Sequence, residues 1–472
     1  MIDLTLAEIA EAVGGVVSAA DADVTVTGEV FVDSRAAVPG GLFVAVAGDR
    51  VDGCDFAAAA VEAGAAAVLA PRPVPAPVVL VDDVVRALGD LARHVRQRLS
   101  SLTVVCLTGS QGKTSTKDIL AVILADAAET VATLESLNNE IGLPLTALRA
   151  TTRTRYLVAE LGTRGPGQLT YLTDVVAPTV GIVLNVGVAH IGEFGDQDAI
   201  AAAKSELVAA LPASGLAVLN ADDHRVSAMA ARTAATVLTF GHAAHSDLRY
   251  TVVDLDADGR PTVELTWRRR QAEVRLRYVG EHHAANAAAA AAAALGMGLD
   301  FEAVGASLRA AEPSSHWRMA VTTSPDGVVV INDAYNANPD SMRAAVTALV
   351  RMTQRRTGSR SFAVLGEMLE LGATSRAEHE ALGRLAAGLG VGHLVAVGRE
   401  ARDAHRAASL DETWDGSSAS VADGAAALGY LRGELRPGDV VLVKASRAAG
   451  LEGLAAALAA GQGSTTRTGG EG

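Results

Sequence analysis

The stretch TGSQGKTSTK, which starts at residue 108, carries the side chains of a phosphate-binding loop. Gly109 and Gly112 let the backbone turn its N–H groups toward phosphate oxygens, and Lys113 can reach the terminal phosphates of a nucleotide. Thr114 can offer its hydroxyl to Mg²⁺. The usual P-loop has a glycine five residues before the Gly-Lys-Thr end, where this chain has leucine. The nucleotide-binding residues predicted in this shorter loop are Gly109, Ser110, Gly112, Lys113, Thr114 and Ser115.

Three more side chains stand where a metal or phosphate site can recruit them. Glu160, in YLVAELG, ends a predicted strand, and the carboxyl ends of parallel strands face the site in such sheets. His190 follows another strand end in NVGVAHIGEFG, although a lone histidine there is more often a structural hydrogen-bonding group. Lys204, in AKSEL, lies on an alanine-rich helical stretch, where a lysine is ordinarily a solvated charge. On the residues alone, each of these roles stays open.

The pattern of apolar runs predicts three α/β units and a tail. Residues 1–100 hold short strand-like runs and two helical stretches. Residues 101–312 open with a strand, the glycine loop and a helix, continue with buried parallel strands, and close with an antiparallel meander and an alanine helix. Residues 313–460 alternate strands and helices, as a Rossmann-like domain does. Residues 461–472 are polar and glycine-rich, which predicts disorder.

Composition narrows the class of protein. The 472 residues are 49% hydrophobic but only 3% aromatic, which favours alanine-rich helices packed on small-residue strands. A net charge of −14 argues against a nucleic-acid partner. Two cysteines without metal-ligand spacing, and an N-terminus unlike a signal peptide, predict a cytoplasmic protein. The most apolar run, residues 284–299, is mostly alanine and too short for a membrane span, so we expect no membrane insertion.

Taken in order, eight motifs resemble those of the Mur ligases, and within that family the branch that adds D-alanyl-D-alanine. They are TGSQGKTSTK, LNNEIGLPLTAL, VAELG, AHIGEFG, AKSEL, GEHHAANAAAA, INDAYNANPDSM and VLGEMLELG. The resemblance spans residues 25 to 455. It implies three domains: one for a UDP-sugar peptide, a central ATPase, and a C-terminal Rossmann-like domain that swings to close the site. It also explains the shorter loop, which this family uses.

The resemblance implies an ADP-forming amide ligase. Its substrates would be ATP, UDP-N-acetylmuramoyl-tripeptide and D-Ala-D-Ala, and the tripeptide carboxylate would be activated as an acyl phosphate. Thr114 and Glu160 would hold one Mg²⁺. Lys204 would be carbamylated and would hold a second Mg²⁺ beside His190, with Lys113, Glu160, His190 and Lys204 as the catalytic set. We also expect a monomer.

The resemblance assigns further contacts by position. His282 and Asn286 would contact adenosine, while Arg318 and Asp333 would reach the phosphate and ribose of ATP from the C-terminal domain. The substrate-binding residues implied are Ser34, Arg35, Asn138, Asn139, Tyr335, Asn336 and Asn338. Two departures from the family pattern stand out. Asn332 replaces a common aspartate, and Ala445 replaces a common glycine, which puts the backbone geometry there in question.

The sequence has two rival interpretations. One is another ligase of the superfamily. The ligase that adds the third amino acid would carry a DNPR-type motif in its third domain, which this chain lacks. The ligase that adds glutamate to folate would lack a comparable UDP-binding domain. A non-catalytic nucleotide switch would have no use for Glu160, His190 and Lys204 together. The sequence does not distinguish diaminopimelate from lysine as the third residue of the tripeptide.

Overall fold

The computed structural model describes residues 1–48, 51–188 and 191–461, which fold into three α/β units in chain order. The sheets are mostly parallel, so the predicted fold class is confirmed. The predictions for His190 and for the tail beyond residue 461 lie outside the described residues. Within the described ranges, no helix has both the length and the apolarity that crossing a bilayer requires.

The first unit has a small, mainly parallel sheet covered by helices. Its strands are β1 (Leu4–Thr5), β2 (Val16–Val17), β3 (Thr25–Val26), β4 (Val30–Phe31), β5 (Leu42–Val44), β6 (Ala67–Ala70) and β7 (Val78–Leu80). Its helices are α1 (Leu6–Val13), α2 (Ala57–Glu62) and α3 (Val84–Arg98). The main sheet runs β2-β7-β6-β5-β4, and β1 pairs with β3. Asp83 caps α3, which buries Leu88, Leu91 and Val95 from one face.

The middle unit has a nine-stranded sheet in the described residues. Its strands are β8 (Thr103–Thr108), β9 (Thr130–Ala132), β10 (Tyr156–Glu160), β11 (Val180–Val183), β12 (Leu216–Asn220), β13 (Thr236–Gly241), β14 (Leu248–Leu255), β15 (Pro261–Trp267) and β16 (Arg270–Arg275). Its helices are α4 (Lys113–Ala125), α5 (Gly142–Leu148), α6 (Gln168–Val176), α7 (Ile191–Phe194), α8 (Gln197–Ala209), α9 (His224–Ala228), α10 (His283–Gly296) and α11 (Phe301–Ala310). The order is β16-β15-β14-β13-β12-β11-β8-β10-β9, with β14 to β16 forming the predicted antiparallel meander.

The register of this sheet positions the candidate site. Strands β8 and β10 are parallel neighbours, and Glu160 pairs with Leu107. Both strands therefore end at the same edge, where β8 leads into the glycine loop and α4. The alanine helix α10 packs against α4 with its eight consecutive alanines, residues 287–294, fully buried. Such small side chains let the helix approach its neighbours closely.

The C-terminal unit has a six-stranded sheet in the described residues. Its strands are β17 (Ala320–Thr323), β18 (Val329–Asp333), β19 (Ser361–Leu365), β20 (His393–Val397), β21 (Ser417–Val421) and β22 (Val440–Lys444). Its helices are α12 (Pro339–Gln354), α13 (Ser375–Gly388), α14 (Arg402–Ser409), α15 (Gly424–Glu434) and α16 (Glu452–Ala459). The order is β17-β18-β22-β19-β20-β21, parallel except for β17. The apolar runs GVVVINDAY, RSFAVLGEM, GHLVAVGRE and GDVVLVKAS predict four of these strands, β18, β19, β20 and β22, whereas β17 and β21 were missed.

The C-terminal unit contacts the middle unit through α12. Three arginines near the end of this helix face acidic groups on the meander and on the turn before α10. The α12 ion pairs are Arg351–Glu281, Arg355–Asp254 (3.3 Å) and Arg356–Asp258 (2.5 Å). At the other end of α12, Asp340 accepts a 3.2 Å hydrogen bond from the backbone N–H of Val188. These contacts hold the two units against each other.

Candidate active site

A cleft of about 580 Å³ lies between the middle and C-terminal units. It gathers most of the side chains that the sequence singled out. The predicted residues in its wall are Gly109, Ser110, Gly112, Lys113, Thr114, Ser115, Asn138, Asn139, Glu160, Lys204, His282, Asn286, Arg318, Asp333, Tyr335, Asn336 and Asn338. Side chains more than 200 residues apart in sequence therefore share one cavity.

The glycine loop ends at the start of α4. Gly112 caps the helix with φ +79°, and a side chain there would collide with Asn286, because an added Cβ would lie 2.3 Å from Asn286 Oδ1. The Lys113 ammonium donates to the carbonyl of Gly109 at 2.9 Å, so it folds back over the loop. The first amides of α4 point out of the helix end, which favours an anion there. This is the geometry of a phosphate site.

Asn185 supports the loop and was missed from the sequence. Its Oδ1 accepts hydrogen bonds from the backbone N–H groups of Ser110 and Gln111, at 2.9 and 3.0 Å. Ser110 in turn accepts a hydrogen bond from the Gly187 N–H. An asparagine just after a strand end was the available signal, since amide side chains often fix turns.

Glu160 is buried at the end of β10 and accepts two side-chain hydrogen bonds. Thr114 Oγ1 donates to Oε2, and Asn138 Nδ2 donates to Oε1, each at 2.8 Å. Adjacent oxygens around an octahedral Mg²⁺ stand about 3 Å apart, because each metal–oxygen bond is about 2.1 Å. The Thr114 and Glu160 oxygens meet that spacing. The pair therefore fits as two ligands of one Mg²⁺, with phosphate and water to complete the shell.

Lys204 lies at the cleft wall with only 5% of its surface exposed. Burial, reinforced by the nearby Lys113, lowers the pKa of the Lys204 ammonium well below its ordinary value. Burial also lowers the pKa of Lys113, which Glu160 partly opposes. A neutral amine is the form that can react with CO₂ to give a carbamate. The surroundings of Lys204 therefore fit the predicted modification.

The residues predicted to contact adenosine, His282 and Asn286, lie at the start of α10. Asn286 Nδ2 lies 3.2 Å from His283 Nδ1, and the rings of His282 and His283 are 4.2 Å apart. Burial lowers the pKa of His282 to about 4, with Asp333 opposing and Lys444 adding to the shift. His282 is therefore neutral at pH 7 and can donate and accept hydrogen bonds.

Lys444 is a second residue that the sequence did not reveal. Its ammonium lies 2.6 Å from Asp333 Oδ2 and donates to the carbonyl of Asn336 at 2.8 Å. Asp333 Oδ1 also accepts the N–H of Met319. A lysine at the end of a buried strand, here β22, was the signal. This network fixes the carboxylate that the C-terminal unit brings to the cleft.

Three family descriptions match this chain. The Mur ligase middle domain matches residues 107–294, the Mur ligase glutamate ligase domain matches residues 317–447, and the Mur ligase family catalytic domain matches residues 28–96. Together they cover more than half of the chain.

The chain belongs to the Mur ligase family.

Several relatives share one activity name. The UDP-N-acetylmuramoyl-tripeptide–D-alanyl-D-alanine ligase of Mycobacterium tuberculosis is 49% identical over 98% of both chains, and that of Escherichia coli is 34% identical over 97% of this chain and 99% of its own. MurF from Acinetobacter baumannii has a TM-score of 0.86 at 32% identity, covering 97% of this chain and 98% of its own. MurF from Thermotoga maritima, solved with ADP, has a TM-score of 0.77 at 30% identity, covering 91% and 96%.

Two predicted substrate-binding residues of this Mur ligase use their side chains to accept backbone hydrogen bonds at the starts of helices. Asn139 Oδ1 accepts the Gly142 N–H at the start of α5, at 2.8 Å. Asn338 caps α12 through Ser341 and donates to the Ser110 carbonyl at 3.4 Å. Their side chains position the walls of the cleft, and Asn138 positions Glu160.

Ser34 and Arg35 lie on the first unit and are not part of the cleft wall. Both occupy an exposed 3₁₀ turn capped by Asp33, whose carboxylate pairs with Arg35 at 2.7 Å. Hydrogen bonds from Arg35 lower the pKa of Asp33 to about 2. Their role toward the UDP moiety stays a prediction.

The concern about Ala445 was misplaced. Ala445 is not among the described residues with positive φ, so it needs none of the backbone freedom of glycine. Its side chain is fully buried against Gly366, where an added Cβ would lie 2.6 Å from the Ala445 Cβ. Glycine at 366 makes the room that alanine at 445 fills.

Proposed function

We propose that this Mur ligase joins D-Ala-D-Ala to the C-terminal carboxylate of UDP-N-acetylmuramoyl-tripeptide. ATP is consumed, and the products are the UDP-linked pentapeptide precursor of peptidoglycan, ADP and phosphate. The observation that carries the proposal is the full-length similarity to ligases of that name, at almost half identity. The chain is thus an ADP-forming amide ligase.

The first step places two anions in contact. The tripeptide carboxylate attacks the γ-phosphorus of ATP, the β–γ bridge bond breaks, and an acyl phosphate and ADP form. Lys113 and the α4 N-terminus supply fixed positive charge on one side. Arg318 supplies it from the C-terminal unit. Mg²⁺ held by Thr114 and Glu160 would neutralise phosphate charge and align the reacting oxygens.

In the second step the free amine of D-Ala-D-Ala attacks the acyl carbon. The C–N bond forms, the bond from the acyl carbon to the phosphate oxygen breaks, and phosphate leaves with both electrons. The amine nitrogen loses a proton as the amide forms. An acyl phosphate hydrolyses readily, so the contact between the middle and C-terminal units serves to exclude water.

Lys204, on helix α8 in the cleft wall, supports the same proposal. As a carbamate it would present oxygens to a second Mg²⁺, whereas an ammonium would repel the metal. Its burial and low pKa favour the reactive neutral amine. Because ATP and UDP-linked sugars are cytoplasmic metabolites, we propose the cytoplasm as the location.

The test is phosphate release by the purified protein with Mg·ATP and UDP-N-acetylmuramoyl-tripeptide, with and without D-Ala-D-Ala. Both the diaminopimelate and the lysine tripeptide are supplied, and products are followed by mass. Dipeptide-dependent phosphate matched one-to-one by pentapeptide is expected. Folded protein that binds ATP but makes no pentapeptide from either tripeptide would overturn the proposal and favour another amine donor or a nucleotide switch.

A further inference from the structure

Two arginines and two aromatic rings alternate on the C-terminal wall of the cleft. The Arg447 guanidinium lies 4.1 Å from the centre of a Trp317 ring and 5.9 Å from the Tyr335 ring. The Arg318 guanidinium lies 4.2 Å from the centre of the same Tyr335 ring. We call Trp317, Arg447, Tyr335 and Arg318 the guanidinium stack. It places one positive charge on each side of the tyrosine ring.

The backbone holds this stack in a fixed shape. Trp317 and Met319 have φ values of +57° and +50°, which are costly for residues other than glycine. The Tyr335 N–H donates to the Trp317 carbonyl at 3.3 Å. The Tyr335 hydroxyl also hydrogen-bonds Ser136 of the middle unit. Strain kept at two residues beside Arg318 indicates a site that needs this orientation.

Aromatic faces orient a guanidinium without neutralising it. A ring face occupies the flat side of the group, and the N–H edge remains available for a planar anion. Glu452 approaches Arg447 Nη1 at 3.2 Å, which orients the group through one of its five N–H donors. The Nε atom of Arg318 is buried and has no partner in the described structure. The stack is therefore built to receive anions.

Two lysines of the described cleft wall are already committed. Lys444 is buried in its ion pair with Asp333. Lys113 lies over the glycine loop. Arg447 stays half exposed on the wall. A second substrate can reach it from solvent. The same holds for Arg164, which pairs with Glu370 at the same 3.2 Å as Arg447 with Glu452, but of these two arginines Arg447 is the one held against aromatic rings in the described residues.

The amine substrate of the proposed reaction carries an anion of its own. D-Ala-D-Ala must present its amino group to the acyl phosphate while its carboxylate, two residues' length away, finds a cation. A planar guanidinium binds a carboxylate through two parallel N–H donors. A carboxylate on Arg447 and a phosphoryl group near Arg318 would share the stack, separated by the Tyr335 ring.

We infer that Arg447, held by Trp317 and Tyr335, binds the carboxylate of the dipeptide substrate. The inference rests on the proposed function and adds a specificity-determining residue to it. It predicts that the amine donor needs a free C-terminal carboxylate for efficient reaction. Arg318, on the far face of Tyr335, remains directed to phosphate.

The experiment compares two amine donors in two proteins. Wild type and Arg447→Met are assayed with D-Ala-D-Ala and with D-alanyl-D-alaninamide, which keeps the amine but lacks the carboxylate. We expect wild type to prefer the dipeptide by roughly 10- to 150-fold in kcat/KM, the range for a hydrogen-bonded charge. Arg447→Met should lose that preference while its KM for ATP stays within about threefold. Arg447→Lys should recover part of it.

The controls separate the possible failures. Arg402→Met, an exposed arginine on α14, should match wild type on both donors. If Arg447→Met lowers activity on both donors equally, the residue has a structural role and the inference is wrong. If wild type makes pentapeptide but does not discriminate the amide, the inference also fails while the proposed function stands. If wild type makes no pentapeptide, the proposed function itself fails.

Discussion

Thr114 and Glu160 are joined by a 2.8 Å hydrogen bond although 46 residues separate them. The contact follows from parallel pairing of β8 with β10, in which Glu160 is the partner of Leu107. The hydroxyl at the start of α4 and the carboxylate at the end of β10 are thereby delivered to the same edge of the sheet. The two proposed Mg²⁺ ligands are therefore brought together by one strand register.

Replacing Glu160 with glutamine tests this pair. The neutral amide keeps the size of the side chain but removes the charge that Mg²⁺ prefers in a ligand. We expect kcat to fall by about 100-fold or more, and the Mg²⁺ concentration for half-maximal rate to rise. Initial rates across a Mg²⁺ titration measure both. Glu264→Gln, on an exposed strand position, is the control, and a Glu160→Gln curve that overlays it would count against the assignment.

Carbamylation of Lys204 can be detected directly. We expect protein incubated with ¹³C-bicarbonate to show a carbamate signal by ¹³C NMR that is absent from Lys204→Arg. The signal should fall on acidification, because the ammonium form cannot react with CO₂. Burial also lowers the pKa of Lys113, so Lys113→Met must keep the signal if Lys204 is the site. A signal lost only in Lys113→Met would show that Lys113, not Lys204, carries the carbamate.

His282 makes stability depend on pH. Its pKa is about 4 in the folded protein against 6.5 in the unfolded chain. Between these pH values His282 is protonated in the unfolded chain but not in the folded protein. The stability present above pH 6.5 is therefore lost as the pH falls toward 4. Each pH unit in this window costs at most about 1.4 kcal/mol.

Urea unfolding at several pH values isolates this contribution. The free energy of unfolding of His282→Gln should fall less steeply than that of wild type between pH 6.5 and 4. His316→Gln, at an exposed position, should follow wild type. Parallel slopes for wild type and His282→Gln would contradict the prediction.

The α12 ion pairs should tune closure of the two units. Each pair is partly exposed, so we expect a modest effect of about 0.2–1 kcal/mol per pair. Arg355→Glu should raise the KM for ATP about two- to fivefold at low salt, and the increase should shrink as NaCl screens the charges. Adding Asp254→Arg should restore the KM. A double variant no better than Arg355→Glu alone would show that the pair does not act in closure.

Local sequence patterns predicted the parts of the fold with strong signals. The β8 strand, the glycine loop and α4 were predicted together because a β-branched run, a turn and a helical period follow one another. Strand β21 was missed since its sequence, SSASV, has no apolar run and its residues are half exposed. Strand β9 has three partly exposed residues and gave equally little signal.

The site was harder to predict where roles depend on contacts across the fold. Glu160 could be chosen because strand ends gather at one edge. Lys444 also ends a buried strand, but its role and that of Arg447 depend on Asp333 and Trp317, which meet them only when β18 and β22 pair and the segment before β17 adopts positive φ. Spacing along the chain carries no trace of such contacts.

The alanine helix α10 acts as a spacer, because the methyl side chains on its buried faces determine how closely it packs. Its buried alanines set the distance between α10 and the sheet. Asn286, which lies on the same helix, already fills the space that a Cβ on Gly112 would need. The depth of the nucleotide pocket is thus encoded partly in residues that never touch a nucleotide. Enlarging one of them, such as Ala288, would shift Asn286 and the surface around it without changing the identity of any predicted binding residue.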